Sequence, residues 1–435
     1  MKLLVKAPSI PSLVAEYQGE LIVKLVGKLL GGSTPPEWMD PQLAASIYYA
    51  FYLPIPILES DEDSSGGGIK RIILRSVIED AGFWRVKPQT VVDRITSLVA
   101  SASLLERIIR NLPKQRGRSS AEGEAEETDL VRRAVSAALQ QAESDSKIAK
   151  SIESLINSSL IGNTSELAFE DVLETILNLA RKTDVSRVLE KLEGVKIPAN
   201  FARKTERFTK GWIEGVELGG DLERVHPSQL ALPDEVFYLL YAESRLLLYK
   251  RVFMAHEGPL YVLLDKSGSM SGNKIDWARA VAIALFQTAL REGRSFYVRF
   301  FDAMPHNLLS VISRPRPRDI VSLLEYLGTV KAGGGTDITR ALAVAASDIE
   351  ANKVKRNPDV ILITDGEDRL SESILNGILS RSKINLHTVM IGGDNKSLRS
   401  VSSSYMSVAR LTRGEVVRVV EMVEKTSRAA QPRRP

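Results

Sequence analysis

The sequence predicts an α/β fold in its C-terminal part, a doubly wound and mainly parallel sheet, preceded by an all-α N-terminal region. From residue 258 onward, short apolar runs alternate with amphipathic stretches of helical length, and alternating β and α units imply parallel strands. Runs such as Val360-Ile361-Leu362-Ile363 are apolar throughout, as expected when helices cover both faces of a sheet. Before them, up to about residue 240, apolar side chains recur at helical spacing.

In the N-terminal region Leu130, Val131, Ala134, Val135, Ala138 and Leu139 form one helical stripe, with Thr128 and Asp129 as expected caps. Val172, Leu173, Ile176, Leu177 and Ala180 form another, with Asp171 in its opening turn. Residues 59–68 and 115–129 are acidic, rich in Gly and Ser and without apolar periodicity, so flexible linkers are expected there. The division that follows is a helical region over 1–213, a connecting segment over 214–257, the α/β domain over 258–425 and a basic tail over 426–435. Within the α/β domain strands are expected at 259–265, 295–302, 359–365 and 386–392. Helices are expected at 274–292, 318–328, 337–352, 371–382 and near 414–428. Trp38, Trp84, Trp212 and Trp277 are scattered and expected to pack in cores.

Composition narrows the function classes. At 435 residues the chain can bury more than one core, and 44% hydrophobic with 26% charged residues is ordinary for a globular protein. Of the net charge of +4, Lys425, Arg428, Arg433 and Arg434 lie in the last eleven residues, which argues against a nucleic-acid-binding body. The absence of cysteine excludes disulfides, thiolate zinc sites and cysteine nucleophiles. Lys6, Pro8 and Pro11 interrupt the start where a signal peptide needs an apolar run. The apolar stretch 47–58 is broken by Pro54 and Pro56 and is short for a bilayer of about 30 Å. A cytoplasmic protein with no integral membrane segment is expected.

The chemistry concentrates in YVLLDKSGSMSGNK, residues 261–274, where an apolar run ends in Asp265, Ser267 and Ser269. A phosphate loop is excluded because Gly268 and Gly272 have the wrong separation and Asn273 precedes Lys274. A nucleophile elbow is excluded because neither serine has glycine two residues away on both sides. Nothing in the pattern marks His226, His256 or His306 as a base, and His387, inside an apolar strand, reads as a satisfied core imidazole. Hard oxygen donors remain. AGGGTDIT at 332–339 adds Thr336 behind three glycines, and ITDGED at 363–368 adds Asp365 at the end of another strand. In doubly wound sheets ligands gather beyond the carboxyl ends of strands, where Asp265 and Asp365 fall. Two acids and three hydroxyls suit Mg²⁺ and, less tightly, Mn²⁺ or Ca²⁺.

DKSGSM, GGGTD and ITDGED resemble, in order and spacing, the three-loop metal-ion-dependent adhesion site of von Willebrand factor A domains, a Rossmann-like fold, over about residues 258–425. The resemblance implies that Ser267 and Ser269 bind the metal directly, that Asp265, Thr336 and Asp365 bind directly or through water, and that a partner's Asp or Glu completes the shell. Lys266 stands at a variable, non-ligating position. Residues 214–250, with a Gly-Asp-Leu turn, a Pro-Ser helix start and an apolar helix, resemble the segment before the A domain in CoxE-like and ViaA-like proteins. That resemblance implies a partner AAA+ ATPase of the MoxR class. The resulting expectation is a non-enzymatic, Mg-dependent adaptor acting on a client protein. The alternative is a subunit of a metal chelatase or metallocentre-assembly complex. A Mg-dependent hydrolase is more remote, because Ser267 stands where a second acid would be wanted.

Overall fold

Acidic caps start several N-terminal helices in the computed structural model, which describes residues 3–7, 10–59, 68–112, 121–159, 172–192, 212–252, 258–313, 315–354, 357–366 and 372–429. Helix α1 spans Ser12–Leu29, α2 Pro41–Tyr52, α3 Gly68–Glu79, α4 Ala81–Thr90 and α5 Arg94–Asn111. Asp40, Asp80 and Asp93 accept hydrogen bonds from the first-turn amides of α2, α4 and α5, satisfying donors that a helix start leaves open. At the other end of α2, the buried Lys87 ammonium donates to the carbonyls of Ala50, Phe51 and Leu53. Burial lowers its pKa to about 8.

Helix α6, Ala121–Ser159, corrects the expectation at its start: residues 121–129, read as linker, are its first turns, and Thr128 and Asp129 lie inside it. Ala and Glu are good helix formers, and acids near a helix N-terminus are favoured by its dipole, so propensity and charge favour a helix here without an apolar stripe. Residues 60–67, 115–120 and 430–435, and Asp171, lie outside the described residues. Helices α7, Leu173–Ala180, and α8, Thr183–Leu192, follow among the described residues. Trp84 departs from expectation at 52% exposed, with its ring in an edge-to-face contact with Phe83.

Residues 196–258 form a compact unit of their own. Its strands, β1 over Trp212–Gly219 and β2 over Leu246–Val252, pair antiparallel around helix α9, Asp234–Ala242. The helix falls within the expected apolar stretch, but both strands are new. Leu246 and Leu248 are buried while Val216 and Leu218 are exposed, and the glycines and glutamates of β1 hide the two-residue period.

The helical region to Val195 and the chain from Pro259 form the other unit. Its sheet comprises β3 Leu260–Asp265, β4 Phe296–Phe301, β5 Leu309–Val311, β6 Asp359–Thr364, β7 Asn385–Ile391 and β8 Ser404–Val408, ordered β5-β4-β3-β6-β7-β8. Every neighbour pair is parallel except β4–β5. The connecting helices are α10 Asn273–Arg291, α11 Pro317–Thr329, α12 Ile338–Glu350, α13 Glu372–Ser382, α14 Lys396–Val401 and α15 Arg413–Ala429. This is the expected doubly wound architecture, with the short β5, β8 and α14 added. β8 hides in a serine-rich run of low apolar content. Tyr261, Leu263, Val360 and Leu362 pack one sheet face against Ile338, Leu342 and Leu375 of α12 and α13. On the other face α10 lies along β3 and β4, and Trp277 of α10 is fully enclosed.

Helix α8 docks directly on this domain. A Cβ on Gly328 of α11 would stand 2.5 Å from Val185 Cγ2, so only glycine admits the approach. Lys182 pairs with Glu325 at 3.6 Å, and Arg413 donates to the Glu190 carbonyl. Among the described residues no helix is long and apolar enough to cross a membrane.

Candidate metal centre

The chain leaves β3 toward β4 on one side, while β6 lies on the other side of β3. The carboxyl ends of β3 and β6 therefore flank a topological switch point, the crevice in which such sheets hold ligands. Leu264 stands opposite Ile363, which brings Asp265 beside Thr364 and Asp365.

Asp265 is fully buried and organises the first loop. Its Oδ1 accepts from the Ser267 amide at 2.8 Å, and its Oδ2 accepts from the Thr364 hydroxyl at 2.5 Å. Thr364 in turn accepts from the Gly366 amide at 2.9 Å, so one threonine ties the first loop to the third. Ser267 Oγ lies 3.1 Å from Ser269 Oγ, and Ser269 donates to Asp365 Oδ1 at 2.8 Å. After these serines, Gly272 at φ 78° turns the chain into α10.

The second loop is pinned by backbone. Gly333 N–H donates to the Lys266 carbonyl at 2.6 Å, and Gly268 N–H donates to the Gly334 carbonyl at 3.1 Å. Gly334, at φ 93°, passes so close to Asp302 that a Cβ would lie 2.9 Å from its Oδ2. Thr336 is seated against the third loop, where a Cβ on Gly366 would meet its Cγ2 at 2.9 Å.

The structure thus links Asp265, Ser267, Ser269 and Asp365 by hydrogen bonds and sets Thr336 beside Gly366. Thr364, Lys274 and Asp302 were not anticipated. Thr364 sits one residue before Asp365, a position legible only once β3 and β6 are known to be neighbours. Lys274 Nζ lies 2.6 Å from Asp365 Oδ2. Asp302, at the end of β4, takes Lys266 Nζ at 2.6 Å, the Met304 amide at 2.7 Å and His306 Nε2 at 3.2 Å, while its carbonyl accepts from Asp337 N–H. Burial would raise the Asp302 carboxyl, but those donors outweigh it and hold it at about 2. Lys266 is therefore a brace between loops. His387 is a satisfied core imidazole, with Nδ1 2.7 Å from Ser404 Oγ and Nε2 3.3 Å from Asn385.

Burial pushes the Asp265 carboxyl up, the hydrogen bonds from Thr364 and Ser267 oppose this, and neighbouring Asp365 raises it further. Two acids that repel each other and three hydroxyls, one of them on solvent-facing Ser269, make a donor set that fits a hard divalent cation.

Comparisons with known proteins find one family model and several relatives of low identity. Residues 260–367 match the family model of the von Willebrand factor type A domain. An uncharacterised protein of Methanocaldococcus jannaschii is 25% identical over 81% of this chain and 83% of its own length. Regulatory protein ViaA of Proteus mirabilis is 27% identical over 47% of this chain and 46% of its own. A von Willebrand factor type A structure from Catenulispora acidiphila, 20% identical, covers 39% of this chain and 43% of that one with a TM-score of 0.32. Over residues 260–367 the sheet domain, which follows the helical region in the sequence, is thus similar to a von Willebrand factor type A domain.

Proposed function

We propose that Asp265, Ser267, Ser269, Thr336 and Asp365 hold a divalent cation, Mg²⁺ first and Mn²⁺ or Ca²⁺ less tightly, and that the protein is a non-enzymatic adaptor. One observation carries this reading: two acids and three hydroxyls, contributed by three loops, converge at the switch point of the sheet. Once bound, the cation supplies a Lewis-acidic position for an Asp or Glu of a partner protein. Asp265 and Asp365 bring negative charge, the hydroxyls orient without adding charge, and Thr364 holds Asp265 at the required angle. The partner follows from the resemblance of residues 214–250 to ViaA-like proteins: an AAA+ ATPase of the MoxR class, with a client to be remodelled or matured. The similarity to a protein named as regulatory supports a role of that kind.

The test is a pull-down of cell extract with the full chain, in Mg²⁺ and in EDTA, followed by identification of the retained proteins. A MoxR-class ATPase retained only with Mg²⁺, and lost on Asp265→Ala or on paired Ser267→Ala and Ser269→Ala, is the expected result. Undiminished capture by a folded variant that binds no metal overturns the reading.

A further inference from the structure

Lys274 is the feature of the metal centre that the ligand set does not explain. It lies in the first turn of α10, where the helix dipole disfavours a cation, so its place is not accounted for by stabilising the helix. Its side chain is 38% exposed, yet its ammonium reaches inward to Asp365, whose side chain is only 2% exposed. Lys266, the other lysine of this loop, is committed elsewhere: its ammonium holds Asp302 at 2.6 Å and the Gly333 carbonyl at 3.2 Å. Lys274 thus supplies the positive charge that meets a candidate ligand carboxylate. With its ammonium on Oδ2 and the Ser269 hydroxyl on Oδ1, both oxygens of Asp365 are taken.

We propose that Lys274 is a built-in stand-in for the metal: its ammonium holds Asp365 while the divalent ion is absent and swings to the solvent-facing rim when the ion binds. The inference rests on the metal-binding reading above and deepens it. A tethered ammonium in contact with a nearly enclosed carboxylate competes with any incoming cation for the same charge. It has the freedom to leave, because its stem already lies partly in solvent and the ammonium is favourably hydrated there. The consequence is a loop set that stays assembled without metal, at the cost of weaker affinity for it. Serine hydroxyls and glycine amides alone would leave Asp265 and Asp365 repelling each other.

The experiment compares wild type, Lys274→Met, Lys274→Gln and Lys274→Arg in the full chain, with Mn²⁺ as the probe. Mn²⁺ affinity is read by electron paramagnetic resonance, and melting temperature is followed with and without saturating Mn²⁺. Removing the ammonium should tighten Mn²⁺ binding about five- to tenfold in both Met and Gln variants, the range expected for one partly exposed charged hydrogen bond. The Arg variant should stay close to wild type. The metal-free Met and Gln variants should melt below wild type, and saturating Mn²⁺ should close that gap. Equal or weaker Mn²⁺ affinity in folded Met and Gln variants overturns this inference and leaves the metal-binding reading standing. Failure of wild type to bind Mn²⁺ at all overturns both.

Discussion

The two ends of strand β6 treat acids in opposite ways. At its start, buried Asp359 faces a fixed guanidinium: Arg294 pairs with it, Asn385 donates to it at 2.8 Å, and the His387 ring stands 3.6 Å away. Beyond its other end, Asp365 and neighbouring Asp265 face hydroxyls, amides and one lysine that reaches in from the rim. A buried acid with a fixed, enclosed counter-cation is complete and holds the fold together. A buried acid met by neutral donors, or by a cation that only reaches in from the rim, has charge to spare for a ligand. The same strand thus carries a structural acid at one end and a candidate binding acid at the other, and burial alone does not tell them apart.

Breaking the complete end should have the largest effect. Arg294→Ala leaves Asp359 enclosed without its cation and should cost about 3–5 kcal/mol of stability in urea unfolding. A loss below 1 kcal/mol would erase the contrast between the two ends. Asp265→Asn is the matching change at the other end. Divalent affinity should fall beyond the roughly 100-fold that losing a mere outer partner of a metal site costs, as titration with Mg²⁺ or Mn²⁺ would show. Metal-free stability should hold or rise, because burial already disfavours the charged form of Asp265.

Gly366→Ala sharpens the comparison further by touching no ligand atom. Its Cβ would press on Thr336, so the second and third loops must part at a cost of about 1–3 kcal/mol. Metal affinity should fall by about tenfold while the sheet keeps its circular dichroism.

The last contrast concerns an acid pair in the helical region, Glu153 beside Asp93, where a proton does the neutralising. Burial first, and then Asp93, pushes the Glu153 carboxyl up to about 7, with Thr96 and Lys150 pulling weakly the other way. The folded state therefore keeps a proton that an unfolded glutamate gives up near pH 4.5. This contribution is complete below about pH 4.5 and is lost as pH rises through about 7. Glu153→Gln should flatten that decline in a series of thermal melts from pH 4.5 to 8, and an unchanged slope would assign the decline to other groups.

Much of the sheet domain was legible because its signals are local. Strands buried on both faces announce themselves as continuous apolar runs, and the small polar loops that follow them stand out by contrast. Asp265, Ser267, Ser269 and Asp365 were visible in this way, and Thr336 by the three glycines before it. The β1–β2 pair was not, since a short antiparallel ribbon with Gly and Glu in one strand leaves no clean alternation. Nor was the start of α6, where helix propensity and charge acted without an apolar stripe.

By itself the sequence determined the α/β alternation and picked out the candidate oxygen donors, because these depend on side chains within a few residues of each other. Only the tertiary structure decided that β6 lies next to β3. That neighbourhood brings Thr364 across 99 residues to Asp265 and Lys274 across 91 to Asp365. The physical reason is that strand order is chosen by which helices can cover which face, a whole-domain balance of burial that no local stretch encodes.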